Sequence, residues 1–118
     1  MQREAQALVD GWTRTFNTGR STDLARFYTQ DARIVPPGRS TVVGVEAICG
    51  FFADIRAQGF RDYTVEIADV FVKDASLVAS GRWTLRGPGD GLQLYKGNWM
   101  NLLSQGGTGR LIAVHMWN

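Results

Sequence analysis

The hydrophobic periodicity of the sequence changes once, near residue 60, and this change constrains the fold more than any other feature. Residues 2 to about 17 and about 45 to 58 carry apolar side chains at the three- and four-residue spacing of an amphipathic helix. From residue 61 onward the apolar residues alternate with a period of two, as they do in β-strands. Helices in the first half and strands in the second predict an α+β fold rather than alternating βαβ units.

The remaining boundaries follow from turn and cap residues. Gly19 ends the first helix, Ser21-Thr22-Asp23 caps a second, short helix, and Pro36-Pro37-Gly38 stops a short strand. The predicted elements are helices over 2–17, 21–28 and 45–58 and strands over 32–35, 63–72, 77–86, 92–103 and 111–117. The last four strands are joined by short connections, with loops at 87–91 and 104–109, which favours consecutive antiparallel hairpins.

Composition limits the kind of protein this is. The 118 residues are 44% hydrophobic, which suits one soluble domain spanning 1–118. A net charge of +2 with scattered arginines does not favour a nucleic-acid or membrane partner. The single cysteine, Cys49, and the polar N-terminus predict a cytoplasmic protein without an apolar leader. One histidine and one cysteine do not predict a metal site, and no motif calls for a cofactor.

The terminal strand, RLIAVHMWN, is apolar on both of its alternating faces. Three helices cover only one face of a long sheet, so the other face needs a second cover. We therefore expect a homodimer through the outer sheet face, with Trp117 taking part. The alternative is a monomer with an exposed apolar patch, which is uncommon among soluble proteins.

Three segments of the chain are informative together: FNTGRSTDLARFYTQDARIVPPG (16–38), GVEAICGFF (44–52) and GRLIAVHMWN (109–118). They resemble the nuclear transport factor 2-like superfamily, and in particular its small bacterial SnoaL-like and ketosteroid-isomerase-like members. The resemblance implies a cystatin-like fold, in which a curved antiparallel sheet wraps around the first helix as a cone, an α+β barrel. It also implies an apolar pocket inside the cone and dimerisation through the sheet. Because this fold hosts many functions, the resemblance is weak on activity.

The isomerase chemistry itself does not carry over. The general-base aspartate of ketosteroid isomerases aligns at or beside Pro36, and their helix tyrosine aligns with Trp12. The protonated aspartate of their oxyanion hole aligns near Asn98, where an amide could still donate a hydrogen bond. With the base missing, the sequence predicts that this chain is not a ketosteroid isomerase.

Three polar residues remain as catalytic or ligand-contacting candidates: Asn98, His115 and Tyr28. His115 is either a general base or polar contact, or a hydrogen-bonded histidine at a dimer interface. The family register directs Val114 and Met116 into the cone and His115 outward, and a β-bulge would reverse this. Asn98 and Asn101 both need partners on a buried strand, and the register favours Asn98 as the ligand contact.

An apolar set converges from the helices and the sheet and is expected to bind the ligand: Trp12, Phe16, Phe51, Phe52, Ile55, Met100, Val114 and Met116. The alternative reading of most of these residues is plain core. Two functions stay open. The chain is either a binding protein for a small apolar molecule, with a possible isomerase, cyclase or hydrolase activity, or a non-catalytic dimeric association module. Whether it is an enzyme is undecided by the sequence.

Overall fold

The computed structural model describes residues 2–105 and 109–118, and it has the α+β architecture that the change of periodicity predicts. In chain order the elements are α1 (Gln2–Thr18), a 3-10 helix (Ser21–Phe27), β1 (Tyr28–Val35), β2 (Val42–Val43), α2 (Val45–Ala57), β3 (Arg61–Lys73), β4 (Ser76–Arg86), β5 (Leu94–Gln105) and β6 (Arg110–Trp117). Residues 106–108, in the predicted loop 104–109, lie outside the described residues.

The six strands form one curved sheet in the order β2-β1-β6-β5-β4-β3. From β3 to β6 each strand pairs antiparallel with the next, as the hairpin pattern predicts. β1 pairs parallel with β6, the last strand of the chain, so the sheet is mixed. β2 and β3 are the two edges, and the sheet is therefore an open cone rather than a closed barrel.

The core lies between the inner face of the sheet and the two α-helices. α1 buries the stripe that its helical spacing predicts, including Leu8, Trp12 and Phe16. α2 adds Ile48 and Phe52 from its own buried face. The strands contribute Leu77, Leu103 and Ile112 and other residues that alternate inward. The two helices thus cover only the inner face, as the sequence argument assumed.

The chain from residue 21 to residue 44 differs from expectation in detail. The short second helix is a 3-10 helix that stops at Phe27, and Tyr28 begins β1 instead of ending the helix. The pairing of β1 with β6 shifts between Tyr28 and Arg33, so this strand is irregular and lacks the plain alternation that marks a strand in sequence. The two-residue strand β2 was not predicted.

A β-bulge in β6 decides which residues of the terminal strand face the core. Leu103 pairs with Ile112, whereas the preceding residue Leu102 pairs with Val114, so Ala113 is an extra residue in β6. Ile112 faces inward before the bulge. After the extra residue the alternation is shifted by one, so His115 faces inward and Val114 and Met116 face outward. His115 is 6% exposed and Met116 is 40% exposed. Of the two alternatives for His115, the structure shows the one in which a β-bulge turns it inward, and the expectation that Val114 and Met116 point into the cone was wrong.

The bend of the sheet is built around Gly81 in β4. Opposite it, the pairing of β3 shifts between Ile67 and Asp69, and a Cβ on Gly81 would collide with the carbonyl oxygen of Glu66. Next to this contact, the indole nitrogen of Trp99 donates to the carbonyl oxygens of Glu66 and Arg82, each at 3.2 Å. The missing side chain lets the strands approach closely while the bulge increases the local twist.

Among the described residues, no helix is both long and apolar enough to cross a membrane.

Candidate functional site

Aromatic rings from both helices and the last strand meet in the cone. Trp12 stacks on Phe16 one helical turn later, with ring centroids 5.4 Å apart. Phe52 of α2 packs edge-on against Trp12 at 5.1 Å. His115 lies among these rings, 5.7 Å from Trp12 and 6.1 Å from Phe52. Stacked and edge-to-face packing at these separations favours a rigid, apolar wall.

A buried hydrogen-bonded chain joins three of the predicted site residues. The indole Nε1 of Trp12 donates to the hydroxyl oxygen of Tyr28 at 2.9 Å. That hydroxyl lies 3.0 Å from Nδ1 of His115. Trp12 comes from α1, Tyr28 from the first residue of β1 and His115 from β6, so the chain ties the helix to two neighbouring strands.

The direction of each hydrogen bond follows from the donor inventory. An indole nitrogen only donates, so the Tyr28 oxygen accepts from Trp12 and its single hydrogen is free to go to His115. Nδ1 of His115 is then the acceptor, and the ring proton resides on Nε2. Because His115 Nδ1 is the only acceptor within reach of the Tyr28 hydroxyl hydrogen among the described residues, the arrangement favours the neutral Nε2–H tautomer of His115.

Burial keeps all of these groups uncharged. Desolvation lowers the pKa of His115 to about 3, because its neighbours are aromatic and none of them is an anion. Desolvation likewise raises the pKa of the Tyr28 hydroxyl well above its ordinary value, outweighing the hydrogen bond from Trp12 that lowers it. At neutral pH the interior therefore presents a neutral imidazole and a neutral phenol.

Two small cavities border this chain. One, of about 50 Å³, lies among aromatic and aliphatic side chains and is lined by Trp12, Phe16, Phe52, Ile55, Tyr63, Trp83, Leu85, His115 and Trp117. The second, of about 20 Å³, lies deeper between α1 and the sheet and includes Thr13 and Asn101 in its lining. Trp12, Tyr63 and His115 border both. No charged side chain lines either cavity among the described residues.

Two much larger depressions lie on the outer face of the sheet. They measure about 670 and 490 Å³, and both are open grooves along β3, β4 and β5, the second also reaching β6. Arg82 and Asn98 line both grooves. These grooves lie on the sheet face that no helix covers, whereas the buried side chains of Asn101 and His115 line the interior cavities.

Half of the predicted apolar set converges as expected, and half of it does not. Trp12, Phe16 and Phe52 are buried in the cone, and Ile55 is half-buried at the wall of the larger interior cavity. Phe51 is half-buried outside that cavity and contacts Phe52 and Trp117. Met100, Val114 and Met116 lie on the outer face, so their assignment to the pocket is corrected.

Asn98 also lies outside the cone. On β5 the buried residues are Trp99, Asn101 and Leu103, and alternation therefore directs Asn98 and Met100 outward. Asn98 is an exposed residue that lines the outer grooves and not the interior. Asn101, three residues further on and 5% exposed, is the amide that faces the core. The alternation of Trp99, Asn101 and Leu103 was the sequence signal that distinguishes the two.

Two other wall residues were missed or misplaced. Trp117, expected at a dimer contact, faces inward and its ring lies 4.9 Å from that of His115. Tyr63 was read only as part of a strand. Its backbone is bound by the side-chain amide of Asn17, which accepts from the Tyr63 N–H at 2.9 Å and donates to its carbonyl at 2.8 Å. This clamp, next to Asp62 with a φ of +57°, directs the ring into the cone and has no local sequence signature.

A sequence profile for the SnoaL-like domain matches residues 9–115. The chain belongs to the SnoaL-like domain family. The known members of this broad fold group often bind small molecules or catalyse reactions on them. No curated protein has a significantly similar sequence.

Solved structures agree with the SnoaL-like assignment at the level of fold. An NTF2-like protein with a cystatin-like fold from Novosphingobium aromaticivorans has a TM-score of 0.82 at 14% identity, covering 98% of this chain and 79% of that one. A ketosteroid isomerase-like protein from Erwinia carotovora has a TM-score of 0.77 at 18% identity, covering 98% and 92%. A Xanthomonas campestris protein described as a calcium/calmodulin-dependent protein kinase II association domain has a TM-score of 0.75 at 21% identity, covering 99% and 86%.

Among the described residues, no group of three or more histidine, cysteine, aspartate or glutamate side chains is placed to hold a metal ion.

Proposed function

We propose that this SnoaL-like protein binds a compact, neutral aromatic molecule inside the cone, with His115, held in place by Tyr28, at the polar end of the site. The observation that carries the proposal is the buried Trp12–Tyr28–His115 chain, whose Trp12 and His115 rings line both interior cavities. An aromatic ligand gains edge-to-face contacts there. A charged ligand would lose its hydration with no counter-charge to replace it.

Binding requires the wall to open. The larger interior cavity of about 50 Å³ is well below the roughly 300 Å³ at which ligand pockets usually begin. Four of the side chains that line it are only half-buried: Ile55, Trp83, Leu85 and Trp117. We therefore expect an induced enlargement in which these side chains rotate while the Trp12–Tyr28–His115 chain stays in place.

The same site is poorly suited to general-base chemistry. A base must accept a proton near neutral pH, yet burial lowers the pKa of His115 to about 3 and its Nδ1 is already occupied by Tyr28. Nε2 carries the ring proton and donates. Among the lining residues described, none is a carboxylate. Of the isomerase, cyclase and hydrolase activities that the resemblance suggests, those that begin with proton abstraction are therefore disfavoured, and we propose binding as the primary role.

The test is titration of the purified protein with toluene and with indole, followed by NMR of the single histidine and the tryptophan indoles. We expect saturable shifts at His115, Trp83 and Trp117. An Ile55→Trp variant, which fills the wall of the cavity, should abolish them, whereas Leu92→Trp, in an exposed position, should not. Absence of saturable shifts in the wild-type protein for both ligands would overturn the proposal.

A second role rests on the outer face, where cross-strand neighbours form a continuous apolar surface. We call it the outer patch: Phe71, Val78, Met100, Leu102, Val114 and Met116. Met100 is 45% exposed and pairs directly with Met116, at 40%. We propose that a second copy of the chain covers this patch, which gives an association module in which ligand binding and dimerisation use opposite faces of the sheet.

The cellular setting is part of the same proposal. The single cysteine, Cys49, is buried, and with a net charge of only +2 the protein has little attraction for nucleic acids or anionic membranes. We infer a cytoplasmic location with a small molecule and a second copy as the partners.

A further inference from the structure

The smaller of the two interior cavities has room for one oxygen atom. It lies between α1 and the strands β3, β5 and β6 and has a volume of about 20 Å³. A buried site needs roughly 10–15 Å³ of this kind of space to hold a water molecule. Thr13, Asn101, His115 and Tyr63 are the polar side chains of its lining, and the rest of the lining is apolar or indole.

Two of these polar groups are buried without a hydrogen-bond partner among the described residues. They are the hydroxyl oxygen of Thr13 and the side-chain carbonyl oxygen of Asn101. Asn101 is 5% exposed and lies directly across the β5–β6 pair from His115. Leaving such a group unsatisfied costs about 1–3 kcal/mol, so two on one cavity wall indicate an absent partner rather than chance.

The chemistry of that partner follows from the direction of the bonds around it. The Asn101 oxygen only accepts, so the partner must donate to it. The Thr13 hydroxyl has one hydrogen to donate, and His115, in the favoured tautomer, carries a second donor on the residue that lines the cavity. A partner that also accepts therefore satisfies this wall. A hydroxyl or water oxygen does both, whereas a ketone or ether oxygen only accepts and would leave Asn101 unsatisfied.

We propose that Thr13, Asn101 and His115 form a binding site for a single hydroxyl-type oxygen. Water occupies it in the free protein, and the hydroxyl group of a phenol or small alcohol replaces that water in the complex. The replacement of the water by a ligand hydroxyl rests on the proposed function, since it places the ligand's polar group in the smaller interior cavity. It narrows the ligand class from neutral aromatics to hydroxylated ones, and it argues against carbonyl substrates.

The water half is tested on the protein without ligand. A high-resolution crystal structure should show a water oxygen within hydrogen-bond distance of both the Asn101 carbonyl oxygen and the Thr13 hydroxyl, and Thr13→Val should weaken or remove it. A dry cavity in the wild-type protein would overturn the proposal. So would a rotated Asn101 amide that directs its NH₂ group into the cavity, because the site would then prefer an acceptor.

The ligand half is tested with phenol, toluene and benzaldehyde, which share one ring and differ in the polar group. Phenol should bind about tenfold more tightly than either of the others, as expected for one satisfied hydrogen-bonding site. Asn101→Leu should remove that preference while retaining toluene binding. Asn98→Leu, on the outer face of the same strand, is the matched control and should change nothing. Thr13→Val provides a second interior variant if Asn101→Leu does not fold.

The outcomes separate the two proposals. Equal affinity for phenol and toluene would overturn the hydroxyl preference and leave binding in the cone intact. Failure of all three compounds to bind would overturn the proposed function, and the water site would still be decided by the crystal structure of the free protein.

Discussion

At the scale of single residues, the Tyr28 hydroxyl serves two neighbours at once and connects three separate elements. It accepts from Trp12 in α1 and donates to His115 in β6, while its own backbone begins β1. Removing it leaves an indole N–H and an imidazole nitrogen buried without partners. Such a loss is more costly than the loss of one hydrogen bond between exposed groups.

We predict that Tyr28→Phe lowers the free energy of unfolding by about 1–3 kcal/mol, because two buried polar groups lose their partner. Urea denaturation measures the change. Tyr95→Phe is the control: Tyr95 is 43% exposed, and its loss of a hydroxyl should leave stability unchanged. Equal stability of the wild type and Tyr28→Phe would contradict the buried chain.

His115 makes stability depend on pH. Its pKa falls from an ordinary 6.5 to about 3 on folding, so between these values the unfolded state binds a proton that the folded state does not. Stability is therefore complete above the unfolded pKa and falls as pH decreases toward the folded one. We predict about 2 kcal/mol less stability at pH 5 than at pH 7.

Denaturation curves at several pH values test this, with His115→Gln as the comparison. The variant lacks the titrating imidazole and should show a much flatter dependence over the same range. If the two proteins lose stability in parallel, His115 is not the group responsible.

Which residues face the interior was the hardest feature to predict. The apolar stripe of α1 was correct because helical spacing alone determines its buried side. Asn98 was assigned to the wrong face, and the face of His115 stayed open between two alternatives. For Asn98, the alignment with the family was preferred to the alternation of Trp99, Asn101 and Leu103, which gives the correct face. For His115, the bulge at Ala113 exchanges the two faces of the strand, and no glycine or proline in the strand signals it.

At the scale of elements, the periodicity of the sequence was enough for the helices and the hairpin-linked strands. α2 and β3 to β6 begin and end within about two residues of the predicted positions. The irregular β1 and the two-residue β2 escaped prediction because their pairing depends on partners distant in sequence. The parallel pairing of β1 with β6 is likewise a tertiary property.

We predict that Gly81→Ala destabilises the sheet by at least about 2 kcal/mol, because the new Cβ would strike the Glu66 carbonyl oxygen at the β3 bulge. Backbone has to move to relieve this contact. Gly50→Ala in α2 is the matched control. A Cβ there meets nothing within 4 Å, so we expect a gain of about 0.5–1 kcal/mol from helix propensity. Thermal unfolding of both variants measures the difference, and a neutral Gly81→Ala would contradict the close approach.

At the scale of the whole molecule, the sheet separates two faces with different chemistry. The inner face carries the buried polar chain and the outer face carries the outer patch. A ligand site and a self-association surface can therefore coexist without sharing side chains, although both involve β5 and β6.

We predict that the protein sediments at twice the 13.1 kDa mass of one chain and that Met100→Lys converts it to a monomer. A charge in the centre of the outer patch would be buried without a partner in the dimer. Leu92→Lys, at a position 81% exposed in the loop before β5, should remain dimeric. A monomeric wild-type protein in analytical ultracentrifugation would rule out the association proposal.

The orientation and protonation of His115 are the basis of the site, and one measurement reads both. Because the chain has a single histidine, its ring nitrogens are unambiguous in long-range ¹⁵N NMR. We expect the neutral Nε2–H tautomer, with Nδ1 hydrogen-bonded, to persist from neutral pH down to about pH 5. An imidazole that exchanges between tautomers and titrates near its ordinary pKa of about 6.5 would place His115 in solvent and contradict the account.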